Sequence, residues 1–172
     1  MTLEIRRLEK SDAVEEFNCG DETLNTYLRR YAWKNQIKHQ VGVTYVAVEP
    51  EHPQIVLGYY TLAASSLPRE LLPPQSSVGL PKYSSIPVLL LARLAVGRRL
   101  QGRDIGESLL GHALKNSLFI SSQIGSRFVI VDAYTTAVPW YTRFGFVSLP
   151  GSFFTGTQPM FIDLRTVAAS LL

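Results

Sequence analysis

The stretch that most suggests a chemical function is Gly97–Gly106, a short basic segment that contains three glycines and three arginines. An apolar run, Val88–Val96, interrupted only by Arg93, precedes it, and from Ile105 apolar residues recur at helical spacing. A strand, a glycine-containing loop and a helix in this order direct several backbone N–H groups and the positive end of the helix dipole toward one point. On spacing alone this arrangement favours a pyrophosphate site only slightly over a structural turn, and the three nearby arginines add to that preference, although any exposed turn can carry arginines. No G-x-G-x-x-G or Gly-Lys-Ser/Thr nucleotide signature is present.

The other reactive side chains form no recognisable catalytic or metal-binding pattern. The three histidines, His39, His52 and His112, are scattered without metal-ligand spacing, so no metal site is expected. The single cysteine, Cys19, has no base beside it in sequence, which favours a packed thiol over a nucleophile. Tyr141 is typical of a core tyrosine when only its neighbours are considered.

A cationic face is predicted for the helix that begins at Asp21 and ends near His39. Arg30, Lys34 and Lys38 are four residues apart and therefore stack on one face of an α-helix, with Arg29 beside them. No acidic residue follows the first turn, so this positive potential is not cancelled. Such a face could follow a phosphodiester backbone or could be an ordinary solvated surface, and the spacing favours neither.

The hydrophobic pattern predicts the elements that position these residues. Strands are predicted at 3–8, Val43–Val48, Ile55–Ala64, Val88–Val96, Phe128–Asp132, Phe146–Leu149 and Thr157–Leu164. Helices are predicted after a cap at Ser11-Asp12, at 21–39 with a buried stripe of Leu24, Tyr27, Leu28 and Tyr31, from Ile105 onwards, and at 167–172. The two most apolar strands are expected to be parallel, joined by a right-handed crossover.

Two local features qualify this pattern. Gly58, inside a strand, predicts a bulge or the close approach of another backbone. The segment 67–87 holds five prolines, so we expect a long ordered loop with one helical turn near residues 69–72 and no other regular structure. Long ordered loops are often functional, and this one is expected to form a wall of the substrate cleft.

Composition indicates a globular protein with one domain over residues 1–172. Hydrophobic residues make up 46% and charged residues 18%, which excludes a disordered chain. No apolar run is long enough to span a membrane, the N-terminal residues are charged, and one cysteine cannot form an internal disulfide, so a cytoplasmic location is expected. The net charge of +3 permits an acidic partner without requiring one.

The segment Gln101–Gly106, reading QGRDIG, resembles the acyl-CoA pyrophosphate loop of the GNAT superfamily of N-acetyltransferases. That pattern is Gln/Arg-x-x-Gly-x-Gly/Ala, and Asp104 stands where the family usually has glycine. Aspartate tolerates left-handed backbone angles, but its carboxylate repels a pyrophosphate unless it points outward or pairs with Arg103. Residues 137–146, reading AVPWYTRFGF, resemble the GNAT segment in which a short helix carries an aromatic-tyrosine pair and ends in Gly-Phe.

The resemblance implies an α/β (α+β) GNAT fold, in which a mixed, mostly antiparallel sheet of six to seven strands contains a splayed parallel pair and is flanked by about four helices. It implies acetyl-CoA as cofactor, with its pantetheine arm between the parallel strands and Tyr141 as the general acid for the leaving thiolate. The expected cofactor contacts are Leu94, Ala95, Val96, Arg99, Gln101, Gly102, Arg103, Asp104, Ile105 and Gly106.

Three further stretches resemble those of GNAT-type toxins of bacterial toxin–antitoxin modules: Phe17-x-Cys19-Gly20, then Leu24-Asn25-x-Tyr27-Leu28 with Ala32, and then Val88–Val96 with its Arg93-Leu94-Ala95-Val96. Such toxins acetylate the α-amino group of aminoacyl-tRNA, block translation, are neutralised by a small ribbon-helix-helix antitoxin and are often homodimers. Candidate tRNA contacts, chosen by charge, are Arg29, Arg30, Lys34, Lys38, Arg93 and Arg98.

The central strand carries no glutamate or aspartate that could act as a general base. An α-amine, with a pKa near 7.7–8.0, is partly deprotonated at neutral pH, whereas a lysine side chain, near 10.4, needs help. The sequence therefore favours an α-amino acceptor. A GNAT acting on a protein or small-molecule amine and a non-catalytic acyl-CoA-binding module are the alternatives.

Overall fold

The computed structural model describes residues 1–151 and 155–170. Within these ranges the strands form one seven-stranded sheet in the order β1-β2-β3-β4-β5-β7-β6. Their bounds are β1 Glu4–Arg7, β2 Val43–Val48, β3 Gly58–Pro68, β4 Ser85–Val96, β5 Phe128–Tyr134, β6 Val147–Ser148 and β7 Thr157–Asp163. β4 and β5 pair in parallel, and the pairs β1–β2, β2–β3, β5–β7 and β6–β7 are antiparallel. The predicted mixed, mostly antiparallel sheet with one parallel pair is confirmed.

Helical segments lie between the strands. The α-helices are α1 Glu22–Thr26, α2 Ala32–Lys34, α3 Pro74–Ser77, α4 Ile105–Gln123, α5 Val138–Arg143 and α6 Leu164–Ser170. Two π-helical segments, Tyr27–Tyr31 and Asn35–His39, join α1 and α2 into one helical run, and 3-10 turns occupy Arg69–Leu71, Arg98–Leu100 and Thr135–Ala137. The predicted helical tail is α6, and residues 171–172 lie outside the described residues.

The chain separates into two compact units, and β3 and β4 each run through both. The first unit consists of Met1–Ala63 and Ala92–Ala113, and the second consists of Ala64–Leu91 and Leu114–Leu172. The core of the first unit includes Leu8, Tyr27, Leu28, Val46, Tyr59 and Ala95. The core of the second includes Leu67, Leu72, Val88, Phe128, Leu149 and Phe161.

The helical run 22–39 begins as predicted, because the carboxylate of Asp21 accepts hydrogen bonds from the N–H groups of Thr23 and Leu24 at 2.9 and 3.3 Å. In the two π segments the hydrogen bonds span five residues instead of four, which changes the angular step between side chains. The predicted buried stripe therefore fails at Tyr31, which is 52% exposed, although Tyr27 and Leu28 are buried.

The helix predicted after Ser11-Asp12 does not form. In the described chain, residues 8–20 make turns and one isolated bridge, between Ala13 and Ile55. Asp12 is used differently: its buried carboxylate accepts two hydrogen bonds from the guanidinium of Arg6, at 2.8 and 3.0 Å, and one from the N–H of Glu9 at 2.8 Å. An ion pair with Arg6, six residues earlier, thus uses the carboxylate that the sequence pattern assigned to a helix cap.

Several predicted boundaries shift. β3 begins at Gly58 rather than Ile55, and β4 begins at Ser85 inside the proline-rich segment. The predicted helical turn near 69–72 is present, but that segment also contains α3, which the proline content had argued against. Pro74 occupies the first position of α3, where its missing N–H costs nothing. The predicted strand at Phe146–Leu149 shortens to β6.

Gly58 confirms the expected close approach. A Cβ atom there would lie 2.9 Å from the carbonyl oxygen of Ala95 in β4 and 3.0 Å from Cδ1 of Leu109 in α4. Only glycine lets these elements pack at this separation.

Candidate functional site

The loop after β4 leads into α4 through a 3-10 turn and two residues with left-handed backbone angles. The N–H of Gly97 donates to the carbonyl of Leu57 at 2.8 Å, and a 3-10 turn follows. Gly102 and Asp104 then adopt left-handed angles, with φ of +82° and +62°. Helix α4 begins immediately after Asp104, whose carbonyl accepts the N–H of Ser108 at 3.0 Å. The non-glycine residue therefore holds the conformation for which the related pattern uses glycine.

This loop leaves hydrogen-bond donors at its end. The first-turn N–H groups of a helix, here those of Ile105, Gly106 and Glu107, have no partner within the helix. Nothing lies within 4 Å of the position that a Cβ on Gly102 would occupy, so the loop surface is open there. Two exposed cations, Arg99 and Arg103, and two exposed acids, Asp104 and Glu107, surround it.

Gln101, an expected cofactor contact, has a structural role as well. Its side-chain amide donates to the carbonyl of Cys19 at 2.9 Å and to that of Val96 at 3.1 Å. The carbonyl of Asn18 accepts the N–H of Arg98 at 2.8 Å. The carbonyl groups of Asn18 and Cys19 are thus hydrogen-bonded to Arg98 and Gln101 in the first half of the loop, an arrangement that sequence reasoning missed.

Arg29 does not belong to a free cationic face. Its guanidinium donates to the carbonyl of Phe17 and lies 3.6 Å from the carboxylate of Glu22. The prediction that no acidic side chain offsets the positive charge of this helix is therefore wrong for Arg29. The exposed Arg30, Lys34 and Lys38 form no ion pair with the described residues, but the π segments alter the four-residue stacking that the sequence predicted.

Arg93 interrupts the apolar sequence of β4 and lies half-buried on an aromatic ring. The Cζ atom of its guanidinium is 3.7 Å from the ring centroid of Tyr27. Of the neighbouring residues expected to contact pantetheine, Ala95 is buried, Leu94 and Val96 are half-buried, and the Val96 carbonyl is already bonded to Gln101.

Tyr141 lies in α5 with its ring buried among aromatic neighbours. The centroids of Trp140 and Phe146 are 4.9 and 5.3 Å away, both in edge-to-face geometry. No described residue forms a hydrogen bond with its hydroxyl group. Burial raises the pKa of Tyr141 above the ordinary value, because the charged form would lose its hydration. Gly145 ends this helix with a φ of +98°, as predicted.

The remaining reactive residues are placed as follows. Burial also raises the pKa of the Cys19 thiol, which is consistent with the predicted packed side chain. The Nδ1 atom of His112 lies 2.7 Å from the Tyr60 hydroxyl, a pairing across 52 residues that no local pattern could indicate.

Within 1–151 and 155–170, no three His, Cys, Asp or Glu side chains come together as a possible metal site. None of the helices in these ranges is long and apolar enough to cross a membrane.

Described residues of the first unit line the following two pockets. One, of about 660 Å³, lies against the loop and is lined by Phe17, Asn18, Leu57 and Gly97–Leu100. The other, of about 340 Å³, lies against α1 and the first π segment and is lined by Glu22, Thr23, Thr26, Tyr27, Tyr31 and Arg93.

Comparison with known proteins gives matches over most of the chain. The model of the acetyltransferase (GNAT) domain matches residues 77–162. A tRNA-acetylating toxin from Mycobacterium tuberculosis (strain ATCC 25618 / H37Rv) is 33% identical over 146 residues, which cover 84% of this chain and 84% of that protein.

Two solved structures resemble the chain over nearly its whole length. AtaT complexed with acetyl-methionyl-tRNAfMet has a TM-score of 0.88 and 28% identity, covering 99% of this chain and 100% of the other. A tyrosine-to-phenylalanine mutant of AtaT, bound to the C-terminus of the antitoxin AtaR and acetyl-CoA, has a TM-score of 0.79 and 25% identity, with 98% of each chain covered. On the family match and the 33% identical relative, the chain belongs to the GNAT family of acetyltransferases.

Proposed function

We propose that this chain transfers an acetyl group from acetyl-CoA to the α-amino group of aminoacyl-tRNA and thereby acts as a toxin that blocks translation. The observation that carries the proposal is the loop Gly97–Gly106, whose left-handed residues open onto the N-terminus of α4. The relative named as a tRNA-acetylating toxin and the similar AtaT complex support the choice of substrate.

The loop residues fit the pyrophosphate of the cofactor. The first-turn N–H groups of Ile105, Gly106 and Glu107 can donate to an anion, and the exposed guanidinium groups of Arg99 and Arg103 can add charge-assisted hydrogen bonds. Asp104 supplies the turn that glycine supplies elsewhere, at the cost of one carboxylate near the anion. The proposed contacts also include Gln101 and Gly102 in the loop and Leu94, Ala95 and Val96 along β4.

When bound, acetyl-CoA supplies the acetyl group as an activated thioester. Tyr141 is proposed as the general acid, because its hydroxyl has no hydrogen-bond partner among the described residues and is free to donate to a departing thiolate. Its raised pKa keeps the proton on the hydroxyl throughout the physiological pH range. Tyr141 therefore suits proton donation and does not suit proton abstraction.

The acceptor is proposed to be an amine that needs no strong base. β4 carries no carboxylate side chain, and an aminoacyl α-amine is already partly neutral at pH 7. Arg30, Lys34, Lys38, Arg93 and Arg98 are proposed to contact the tRNA backbone. Arg29 contributes less, because Glu22 and the carbonyl of Phe17 already hold it.

The proposed partners follow from the same assignment. A small ribbon-helix-helix antitoxin would neutralise the toxin, and AtaT is similarly bound to the C-terminus of the antitoxin AtaR. We also propose a cytoplasmic location, where aminoacyl-tRNA is found, and a homodimer.

The proposal is tested by incubating the purified protein with acetyl-CoA and mixed aminoacyl-tRNA, hydrolysing the ester and analysing the released amino acids by mass spectrometry. N-acetylated amino acids are expected with the native chain and not with the Tyr141→Phe variant. Free peptides and small amines serve as competing acceptors. If acetyl-CoA binds but every released amino acid is unmodified, aminoacyl-tRNA is not the substrate.

A further inference from the structure

Asp132 in β5 carries a carboxylate that none of the described residues neutralises. Its Oδ1 atom is buried and accepts no hydrogen bond within 1–151 and 155–170, and no cation in these ranges forms an ion pair with the side chain. A buried carboxylate oxygen without a donor is costly, because it loses its hydration and gains no bond in return. Folded proteins retain few such groups, and a part in catalysis is one reason for retaining them.

Asp132 lies where the parallel pairing of β4 and β5 ends. The last paired residues are Leu91 in β4 and Val131 in β5, and Asp132 is the next residue of β5. On its other side β5 continues to pair with β7, where Asp132 lies opposite Pro159. The family resemblance implies that the pantetheine arm of acetyl-CoA lies between the two parallel strands. Asp132 is therefore the first side chain of β5 beyond the segment that is bonded to β4.

The side chain of Asp132 points to the face of the sheet that the proline-rich segment covers. Side chains alternate along a strand, so Asp132 shares a face with Phe128, four residues earlier. Phe128 belongs to the same buried core cluster as Leu67 and Leu72, both of which lie in the segment 67–87. This segment is the expected wall of the substrate cleft, so the carboxylate lies on the side proposed for the acceptor.

The helix that carries Tyr141 packs on the opposite face. A Cβ atom on Gly145, at the end of α5, would lie 3.5 Å from Cδ1 of Ile162. Ile162 pairs with Val129, and the side chain of Val129 lies on the face that Asp132 does not use. The phenol and the carboxylate thus flank β5 from two sides, so that one can serve the leaving thiolate and the other the entering amine.

We propose that Asp132 takes the proton that the acceptor amine loses when it is acetylated. The nitrogen lone pair forms the bond to the acetyl carbon, and the positively charged nitrogen gives its proton to the Asp132 carboxylate. The bond from that carbon to sulfur breaks with its electron pair on sulfur, and Tyr141 protonates the thiolate. Solvent then carries a proton from Asp132 to Tyr141. The inference rests on the acetyl transfer of the proposed function and names the base that β4 does not carry.

A carboxylate is sufficient for this step. An α-amine is partly neutral at pH 7 and attacks without prior deprotonation, whereas a lysine side chain, with an ordinary pKa near 10.4, does not. The nitrogen becomes strongly acidic only once its lone pair is shared with the acetyl carbon, so a weak base then accepts the proton. Asp132 therefore completes the reaction of an α-amine and gives little help to a lysine.

Turnover is measured first with Asp132→Asn, which keeps the shape of the side chain and removes its charge. The kcat/KM for the amine should fall about a hundredfold, and the KM for acetyl-CoA should stay at the native value. The matched control is Asp163→Asn, because Asp163 lies on the same face of the sheet and pairs with Arg127. This control should lower the melting temperature and keep the turnover, whereas Asp132→Asn should not lower the melting temperature.

Chemical rescue separates a base from a structural side chain. Sodium formate added to the Asp132→Ala variant should restore part of the lost rate in proportion to its concentration, because formate supplies a carboxylate. Sodium chloride at equal ionic strength should not restore it. Formate should also fail with Tyr141→Phe, which lacks the proposed acid instead.

Binding in the absence of acetyl-CoA gives a readout that needs no turnover. Fluorescence anisotropy compares labelled aminoacyl-tRNA with its N-acetylated form, which lacks the ammonium charge. The native chain should bind the charged form about tenfold more tightly, because the carboxylate makes a charge-assisted hydrogen bond with the ammonium group. Asp132→Asn should lose this preference. A peptide and its N-acetylated form are compared in the same way.

The inference is overturned if Asp132→Asn turns over within about threefold of the native rate, or if formate does not rescue Asp132→Ala. If the native chain acetylates a peptide or a small amine and not aminoacyl-tRNA, with the same dependence on Asp132, the inference stands and the proposed substrate fails. If it acetylates no amine, the proposed function fails and binding decides. A preference for the charged form that persists in Asp132→Asn, or that the native chain lacks, then overturns the inference.

Discussion

Replacing Tyr141 with phenylalanine should abolish most of the turnover while leaving the fold intact. The change removes only the hydroxyl group, which makes no hydrogen bond with any described residue. The ring keeps its contacts with Trp140 and Phe146 at 4.9 and 5.3 Å. The free energy of unfolding should therefore change by less than about 0.5 kcal/mol.

The effect of Tyr141→Phe on turnover should be much larger than its effect on the free energy of unfolding. General acid–base catalysis contributes about 10²- to 10⁴-fold, so kcat of Tyr141→Phe should fall by that factor, equivalent to about 3–5 kcal/mol in the activation free energy. The KM for acetyl-CoA should not change. Because burial raises the pKa of Tyr141, the protonated, active form of the native enzyme persists to higher pH, and its rate should not decline below about pH 10 through this group.

The measurement is steady-state acetylation from pH 6 to about 10, with thermal melting of both proteins in the same buffers. The reasoning is refuted if the folded Tyr141→Phe variant turns over within about twofold of the native rate. A native rate that declines with a pKa near the ordinary His or Cys value would place the essential acid elsewhere.

Three further predictions concern stability. Gly58→Ala should lower the free energy of unfolding by about 2 kcal/mol in urea titrations, because the new Cβ would lie 2.9 Å from a backbone carbonyl of β4. Gly111→Ala, where nothing lies within 4 Å, should instead stabilise helix α4, and equal effects of the two changes would contradict the packing argument. Asp12→Ala should cost about 3 kcal/mol, since it leaves Arg6 without its buried carboxylate, and a loss below about 1 kcal/mol would show that the pair is unimportant. Burial raises the pKa of Tyr59 and Tyr141, so the folded state keeps protons that the unfolded chain releases above about pH 10. The free energy of unfolding should therefore fall as the pH rises beyond that value. A free energy of unfolding that circular dichroism finds unchanged up to about pH 12 would contradict this.

The sheet and the long helix were predictable because their burial leaves a periodic signal. β4 is apolar along most of its length, and the Ile105, Leu109 and Ala113 series marks the buried face of α4. The turn residue Gly145 and the close approach at Gly58 were predictable for a different reason. Glycine at such positions signals a backbone that a side chain would not permit.

The wrong predictions come from side-chain contacts and a helix geometry that residue spacing alone does not reveal. Asp12 resembles a helix cap, but its carboxylate binds Arg6, and Tyr31 fits an α-helical stripe that the π segment shifts. Arg29 looked like a surface cation, yet Phe17 and Glu22 hold it. A prediction from residue spacing assumes ideal α-helices and says nothing of side-chain ion pairs. It therefore detects neither the π segment nor the contacts of Asp12 and Arg29.

Tyr141 was selected by the resemblance to the GNAT superfamily, because its neighbours in sequence are equally typical of a packed core tyrosine. The resemblance likewise selected the cofactor contacts in the loop. The geometry adds one physical fact to each. The loop holds left-handed angles at Gly102 and Asp104, and Tyr141 keeps its proton because it is buried.

The hydrogen bond from Gln101 to the carbonyl of Cys19 joins residues 82 positions apart in sequence. A contact of such separation closes a large loop in the unfolded chain, and the associated entropy cost delays its formation during folding. During synthesis on a ribosome, this hydrogen bond to Cys19 forms only after residue 101 has left the exit tunnel. Until residue 101 has emerged, the nascent polypeptide lacks the contact that holds the proposed cofactor loop against Cys19.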